Sequence, residues 1–159
     1  MTRMGIGWDS HTLRPTLSPS IIMVGGHPIS ACFRIEAHSD GDVLLHALAD
    51  ALLGSMALGD IGEWFPETPE NAKRKSSAFL PPILMELRRL GCQVLQMDCT
   101  LILEEPSLKS HKQSIRENLS KLLGCELACI SVKAKRWDGF SMPHKTSVIA
   151  AQALVVVGS

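Results

Sequence analysis

Residues 38–60, HSDGDVLLHALADALLGSMALGD, decide how the rest of the chain is read. Asp40-Gly41-Asp42 supplies turn chemistry and a helix cap, and Val43, Leu44, Ala47, Leu48, Ala51, Leu52 and Met56 then recur at helical spacing. One side of this helix packs. Asp42, His46 and Asp50 stand four residues apart, so they stack as a polar row along a face that would otherwise repeat Leu or Ala. Two readings of the row stay open: a solvated face, or a metal ligand at His46, since imidazole nitrogen is the commonest metal-binding side chain.

Working outward, residues 2–9 read as a strand, and residues 21–24 and 31–35 as a hairpin around Gly25-Gly26-His27-Pro28. Prolines and acids between Asp60 and Glu70 interrupt regular structure and predict a loop that serves as a lid or rim. A second helix ends at Arg88-Arg89-Leu90 before Gly91. Pro81-Pro82 lacks two backbone donors, which delays its regular part to Leu80. Residues 94–103 alternate as a strand, residues 110–123 form a third helix closed by Gly124, and residues 130–135 form another strand. The small and β-branched run 147–157 suits a strand buried on both faces. Interleaved strands and helices predict an α+β fold, a two-layer α/β sandwich, with a mixed four- to five-stranded sheet and three main helices on one face. Residues 1–159 are read as a single domain. The other sheet face is left uncovered, and an apolar face of that size predicts an oligomer.

Composition narrows the function classes. The formal charge is zero, which argues against general affinity for nucleic acid or anionic membranes. Through Glu70 there are nine Asp and Glu against three Lys and Arg, and beyond it seven against thirteen. The asymmetry is either ordinary surface charge or a cation-binding half folded against an anion-binding half. Five cysteines with no Cys-x-x-Cys pair suit free thiols in a reducing cytosol. With no basic-then-apolar leader and no run long enough to span a bilayer, a cytoplasmic protein is expected.

The chemistry-bearing residues lie at two places. Asp9 and His11 are two apart at a strand end, so they project together. With His46 they make two histidines and one carboxylate, the pattern of a catalytic zinc with one position left open, where the alternative for the pair alone is a polar strand end. His38 and Ser39 stand beside the amino end of the central helix, whose N–H groups and dipole favour an anion. Capping by Ser39, Asp40 or Asp42 is the competing role. Zinc beside such an end suits phosphoryl chemistry.

Several long stretches resemble the 2-C-methyl-D-erythritol 2,4-cyclodiphosphate synthases of the non-mevalonate isoprenoid pathway. They are Gly7-Trp8-Asp9-Ser10-His11, residues 37–46 (AHSDGDVLLH), Asp50-Ala51-Leu52-Leu53-Gly54, and residues 57–62 (ALGDIG) followed by Phe65-Pro66. Pro106, His111, Leu123-Gly124-Cys125 and Val132-Lys133-Ala134 extend the match in order across the chain. The resemblance implies a phosphorus-oxygen lyase in which Asp9, His11 and His46 hold one zinc. Ser10, His38 and Ser39 would contact substrate, with His38 orienting phosphate. Asp60, Ile61 and Gly62 would hold the erythritol portion, with Phe65, Pro66 and Glu67 on the rim and Pro106 in the cytidine loop. It also implies a homotrimer around a threefold axis lined by the uncovered sheet face, with each active site between subunits, a small-molecule diphosphocytidyl substrate, and release of CMP.

The sequence departs from the family pattern in its second half. Where the family has Lys-Ala-Thr-Thr-Thr-Glu, this chain reads Lys133-Ala134-Lys135-Arg136-Trp137-Asp138. Arg136 stands at the threonine that stabilises the transition state, and a guanidinium can also offer donors to phosphate oxygens. Asp138 stands at the acid that would hold a second divalent ion, magnesium or manganese. Lys145 is the ungapped counterpart of a family arginine, and Glu104-Glu105-Pro106-Ser107 replaces Gln-x-Pro-Lys. A noncatalytic metal- and phosphate-binding trimer is therefore the alternative to the synthase. A zinc-dependent phosphate-handling enzyme of altered nucleotide preference is a third reading.

Overall fold

A computed structural model describes residues 1–66, 68, 74–138 and 148–159. Strand β1 runs Arg3–Val24 and β2 runs His27–Glu36, joined by a two-residue turn. Gly25 and Gly26 both take positive φ there, 60° and 74°, the backbone that matches the twist of a tight hairpin. The two segments read separately from the sequence, 2–9 and 21–24, are thus parts of one strand. Pro15 and Pro19 look like breakers, but the pairing with β2 is shifted between Pro15 and Ser20, and that irregularity absorbs them without ending the strand.

Helix α1 (Val43–Ser55) follows, and ten of its thirteen residues are buried, so it is apolar nearly all round rather than on one side. Leu44, Leu45, Leu48, Leu52 and Leu53 are each at most 1% exposed, and each such side chain stabilises the fold by about 1.5–3 kcal/mol. A short helix α2 (Ile61–Trp64) lies inside the expected loop. A 3-10 turn, Ser76–Phe79, leads into α3 (Leu80–Arg89), whose start at Leu80 leaves both prolines in the first turn, where no donor is needed. Strand β3 (Gln93–Ile102), α4 (Lys112–Leu123), β4 (Ile130–Lys135) and β5 (Val148–Gly158) complete the chain. Gly124, at φ 67°, stops α4.

The sheet has the order β2-β1-β5-β3-β4. Only β3 and β4 are parallel, so it is the mixed sheet expected. Helix α1 lies on β1 and β5, and two glycines set how close it comes. A Cβ on Gly5 would lie 1.9 Å from the Ala51 carbonyl oxygen, and one on Gly7 2.0 Å from that of Ala47. In the first half of β1, before the irregularity, odd-numbered residues face the helix, so Asp9 and His11 continue the row begun by Gly5 and Gly7.

Burial on both faces of β5 does not hold within one chain. Ala151, Ala153, Val155 and Val157 are buried under α1, whereas Gln152 and Leu154 are exposed on the side away from the helices. On that side Met4, Ile6 and Trp8 of β1 are 70%, 62% and 51% exposed. Among the described residues, no helix is long and apolar enough to cross a membrane.

Candidate metal centre and its cavity

Two elements deliver the three metal-ligating side chains. Asp9 and His11 extend from β1 past the last close contact with α1, and His46 descends from the first turn of that helix. His46 Nδ1 lies 3.0 Å from Asp9 Oδ2, His11 Nε2 lies 3.1 Å from the same oxygen, and the two nitrogens are 3.3 Å apart. The imidazoles meet edge to face at 84°. One oxygen and two nitrogens, each able to offer a lone pair, converge on a single point. This donor set, two imidazoles and one carboxylate without a thiolate, fits zinc with a coordination position left for a ligand. Among the described residues it is the one group of three or more such atoms. Burial pushes the Asp9 carboxyl up, but hydrogen bonds and charge from His11 and His46 outweigh it and bring it down to about 2.

The polar row on α1 is not a solvated face. Asp42 is fully buried, and its carboxylate accepts from Leu45 N (3.1 Å), Gly25 N (2.8 Å) and Gly26 N (2.6 Å). It therefore caps the helix and ties it to the β1–β2 turn at once. Burial raises its pKa against the pull of those three N–H groups. Asp50 accepts from Ile61 N (2.8 Å), and Asp60 caps α2 by accepting from Glu63 N (2.9 Å). These two bonds, with Trp64 Nε1 donating to the Leu58 carbonyl (3.0 Å), fix the segment that presents Ile61, Gly62 and Phe65.

Capping also occupies the groups beside the helix end. Ser39 Oγ accepts from Gly41 N (3.1 Å) and lies 3.0 Å from His46 Nε2. Ser76, fully buried, lies 2.9 Å from the same nitrogen and donates its hydroxyl proton to Asp40. The sequence offers Ser76 or Ser77 only as a cap for the following helix, a role neither side chain takes here, and nothing in it points from Ser76 to His46, thirty residues before.

Asp9, His11, His38, Ser39, His46, Ile61, Gly62, Phe65 and Pro66 line one cavity of about 340 Å³, joined by Phe79, Glu36 and Ala37. Phe65 and Phe79 stack with centroids 4.7 Å apart, and the Arg74 guanidinium lies 5.7 and 5.6 Å from their ring centres. Other expected residues lie elsewhere. Asp60 serves as the cap just described, and Ser10 alternates to the opposite side of β1, its N–H donating to Asp9 Oδ1 (2.8 Å). Pro106, Arg136 and Asp138 do not line this cavity, and Glu67 and Lys145 lie outside the described residues.

Arg136 lines a second cavity, about 230 Å³, between the loops that follow β3 and β4, where Lys109, Lys112 and Lys135 also converge. The acids that break the family pattern act at its edge. Glu105 Oε1 accepts from Arg136 Nη2 (3.3 Å), and Glu104 Oε2 accepts from the Trp137 backbone N–H (3.2 Å). Asp138 follows, exposed and at φ 43°.

A family model described as the YgbB family matches residues 2–158. The chain belongs to that family. Within it, the chain is 41% identical over 157 residues to 2-C-methyl-D-erythritol 2,4-cyclodiphosphate synthase of Xanthomonas oryzae, covering 98% of this chain and 94% of the relative. It is 38% identical over 156 residues to the chloroplastic synthase of Arabidopsis thaliana, covering 98% of this chain but 66%, just under two thirds, of that longer relative. A solved structure of the synthase in a CDP-bound form superposes with a TM-score of 0.88 at 33% identity, covering 98% of this chain and all of that one. The noncatalytic alternative finds no support in these matches.

Proposed function

We propose that the protein converts 4-diphosphocytidyl-2-C-methyl-D-erythritol 2-phosphate into 2-C-methyl-D-erythritol 2,4-cyclodiphosphate and CMP, a step of non-mevalonate isoprenoid precursor synthesis in the cytoplasm. The observation that carries this reading is the convergence of Asp9, His11 and His46 on the floor of a cavity, in a chain whose relatives are named as that synthase. An oxygen of the 2-phosphate attacks the β-phosphorus of the same molecule. The bond from that phosphorus to the oxygen bridging it to the α-phosphate breaks, and CMP leaves with that oxygen. No protein nucleophile is required; the protein folds a flexible polyanion and balances its charge.

In this reading Asp9, His11 and His46 would hold zinc, which would supply Lewis-acid polarisation of a substrate phosphate. His38 and Ser39 hold phosphate oxygens, and Asp60, Ile61 and Gly62 hold the erythritol portion, with Phe65 and Pro66 closing one side. Arg136 donates to oxygens that gain charge in the transition state, with Asp138 available to a second divalent ion, magnesium or manganese. The working unit is a homotrimer. The exposed Met4, Ile6, Trp8 and Leu154 supply an apolar face for its axis. A neighbouring chain would bring its Arg136 cavity to the metal cavity, which gives two separate cavities of one chain a common use.

The test is CMP release from the diphosphocytidyl substrate by the purified protein, with its metal content measured alongside. Release that disappears in His46→Ala supports the synthase. Metal binding without turnover, or turnover of a different nucleotide only, counts against it.

A further inference from the structure

His46 has two ring nitrogens, and only one of them faces Asp9 and His11. The other, Nε2, faces two hydroxyls: Ser76 Oγ at 2.9 Å and Ser39 Oγ at 3.0 Å. Counting protons decides what it carries. A carboxylate only accepts, so the single hydroxyl proton of Ser76 is committed to Asp40 Oδ1, the atom that also accepts from Ser76 N at 3.1 Å. Toward His46, Ser76 therefore presents a lone pair, and an unprotonated Nε2 would set lone pair against lone pair at 2.9 Å. Nε2 must carry a proton, which leaves Nδ1 as the lone-pair nitrogen, turned toward Asp9 Oδ2 (3.0 Å) and His11 Nε2 (3.3 Å), where a cation would lie among three lone-pair donors.

We propose that Ser76, held by Asp40, is a positioning residue that fixes the tautomer and ring orientation of His46 so that Nδ1 is the metal-binding nitrogen. The inference rests on the metal site of the preceding section, and it assigns work to residues with no contact to the metal point. Hydrogen bonds of this kind to the second nitrogen of a ligating histidine raise metal affinity, and losing one typically costs 10- to 100-fold. Ser39 cannot replace Ser76 here. Its hydroxyl proton is not committed to a carboxylate, so it can serve either tautomer of His46. Asp40 also accepts from Asp42 N (3.4 Å), and its own N–H donates to the Arg74 carbonyl (3.4 Å). The helix cap, the segment entering the 3-10 turn and the metal ligand therefore meet at one carboxylate.

The experiment is a zinc titration of the full-length protein against a chromophoric chelator, for wild type, His46→Ala, Ser76→Ala, Asp40→Asn and Asp40→Ala, with melting temperatures to confirm folding. One wild-type zinc that vanishes in His46→Ala establishes the site; failure there overturns the site itself. With the site established, zinc affinity is expected to fall 10- to 100-fold in Ser76→Ala. Asp40→Ala should show a similar loss, while Asp40→Asn, which keeps an acceptor oxygen, should lose less. Nitrogen-15 NMR of the zinc-loaded protein gives a readout that a general loosening would not move: zinc on His46 Nδ1 with the proton retained on Nε2. Ligation through Nε2 would overturn the proposal, as would wild-type affinity in both folded Ser76→Ala and Asp40→Ala. If Ser76→Ala does not fold, the Asp40 pair and the NMR assignment decide.

Discussion

The metal cavity and the Arg136 cavity are built on opposite principles. Asp9, His11 and His46 sit on two regular elements in close contact, where glycines let α1 lie directly on β1 and a fully buried aspartate anchors the helix end. Arg136 and Trp137 instead follow the edge strand β4 and are held by Glu104 and Glu105 from the loop after β3. The Arg136–Glu105 pair is well exposed and so contributes little to stability. A site on rigid elements tolerates little change, whereas one held by exposed ion pairs can trade residues. This explains in physical terms why the family pattern is kept around the metal and lost around Arg136.

Breaking the rigid half should have the largest effect. His46→Ala removes one of three ligands, and both bound zinc and CMP release are expected to disappear while the melting temperature stays near wild type; metal analysis and thermal denaturation check this. Gly7→Ala comes next. Its Cβ would meet the Ala47 carbonyl at 2.0 Å, so helix and strand must separate, at a cost of about 1–3 kcal/mol on overpacking precedent, measured by denaturant unfolding. Because the same contact sets the distance from His46 to Asp9, zinc affinity should fall with it. If Gly7→Ala destabilises the fold without touching zinc affinity, the proposed link between packing and site is broken.

The α1 stretch was legible because caps, apolar spacing and a misplaced histidine all sit within twenty-three contiguous residues. The Asp9–His11 pair was legible because strand alternation puts i and i+2 on one side. What was missed depends on contacts distant in sequence. That one strand continues from residue 9 through Pro15 and Pro19 to residue 24 was not legible, because nothing local reveals that β2 pairs on both sides of the irregularity. Ser76 carries no pattern beyond that of a helix cap, and its contact with His46 exists only because the 3-10 turn folds back onto the α1 cap. Glu104 and Glu105 read as misplaced acids beside a nucleotide loop until their partners, more than thirty residues on, came into view.

Smaller effects sharpen the contrast from the loop side. Glu105→Gln should change stability by less than about 1 kcal/mol yet raise KM for the diphosphocytidyl substrate severalfold with zinc content unchanged, because only the hold on Arg136 is lost. Loss of zinc in that variant would mean the two cavities are not independently built. The smallest effect lies away from both cavities. His27 Nε2 and His111 Nδ1 are 3.1 Å apart, and burial, with His111 beside it, lowers the His27 pKa below 6.5. The unfolded chain then binds the proton more readily, so this contribution to stability is full above about pH 6.5 and is lost as pH falls toward the folded value. His27→Gln should flatten the fall in melting temperature between about pH 7 and pH 5, as followed by circular dichroism.

Zinc K-edge X-ray absorption on the purified protein tests the convergence of β1 and α1 on one ion most directly, since the chain also carries five thiols that could bind zinc. Two imidazole nitrogens and oxygen at about 2.0–2.2 Å, with no sulfur, is the predicted result. A sulfur scatterer near about 2.3 Å would contradict it and place the ion on cysteine instead.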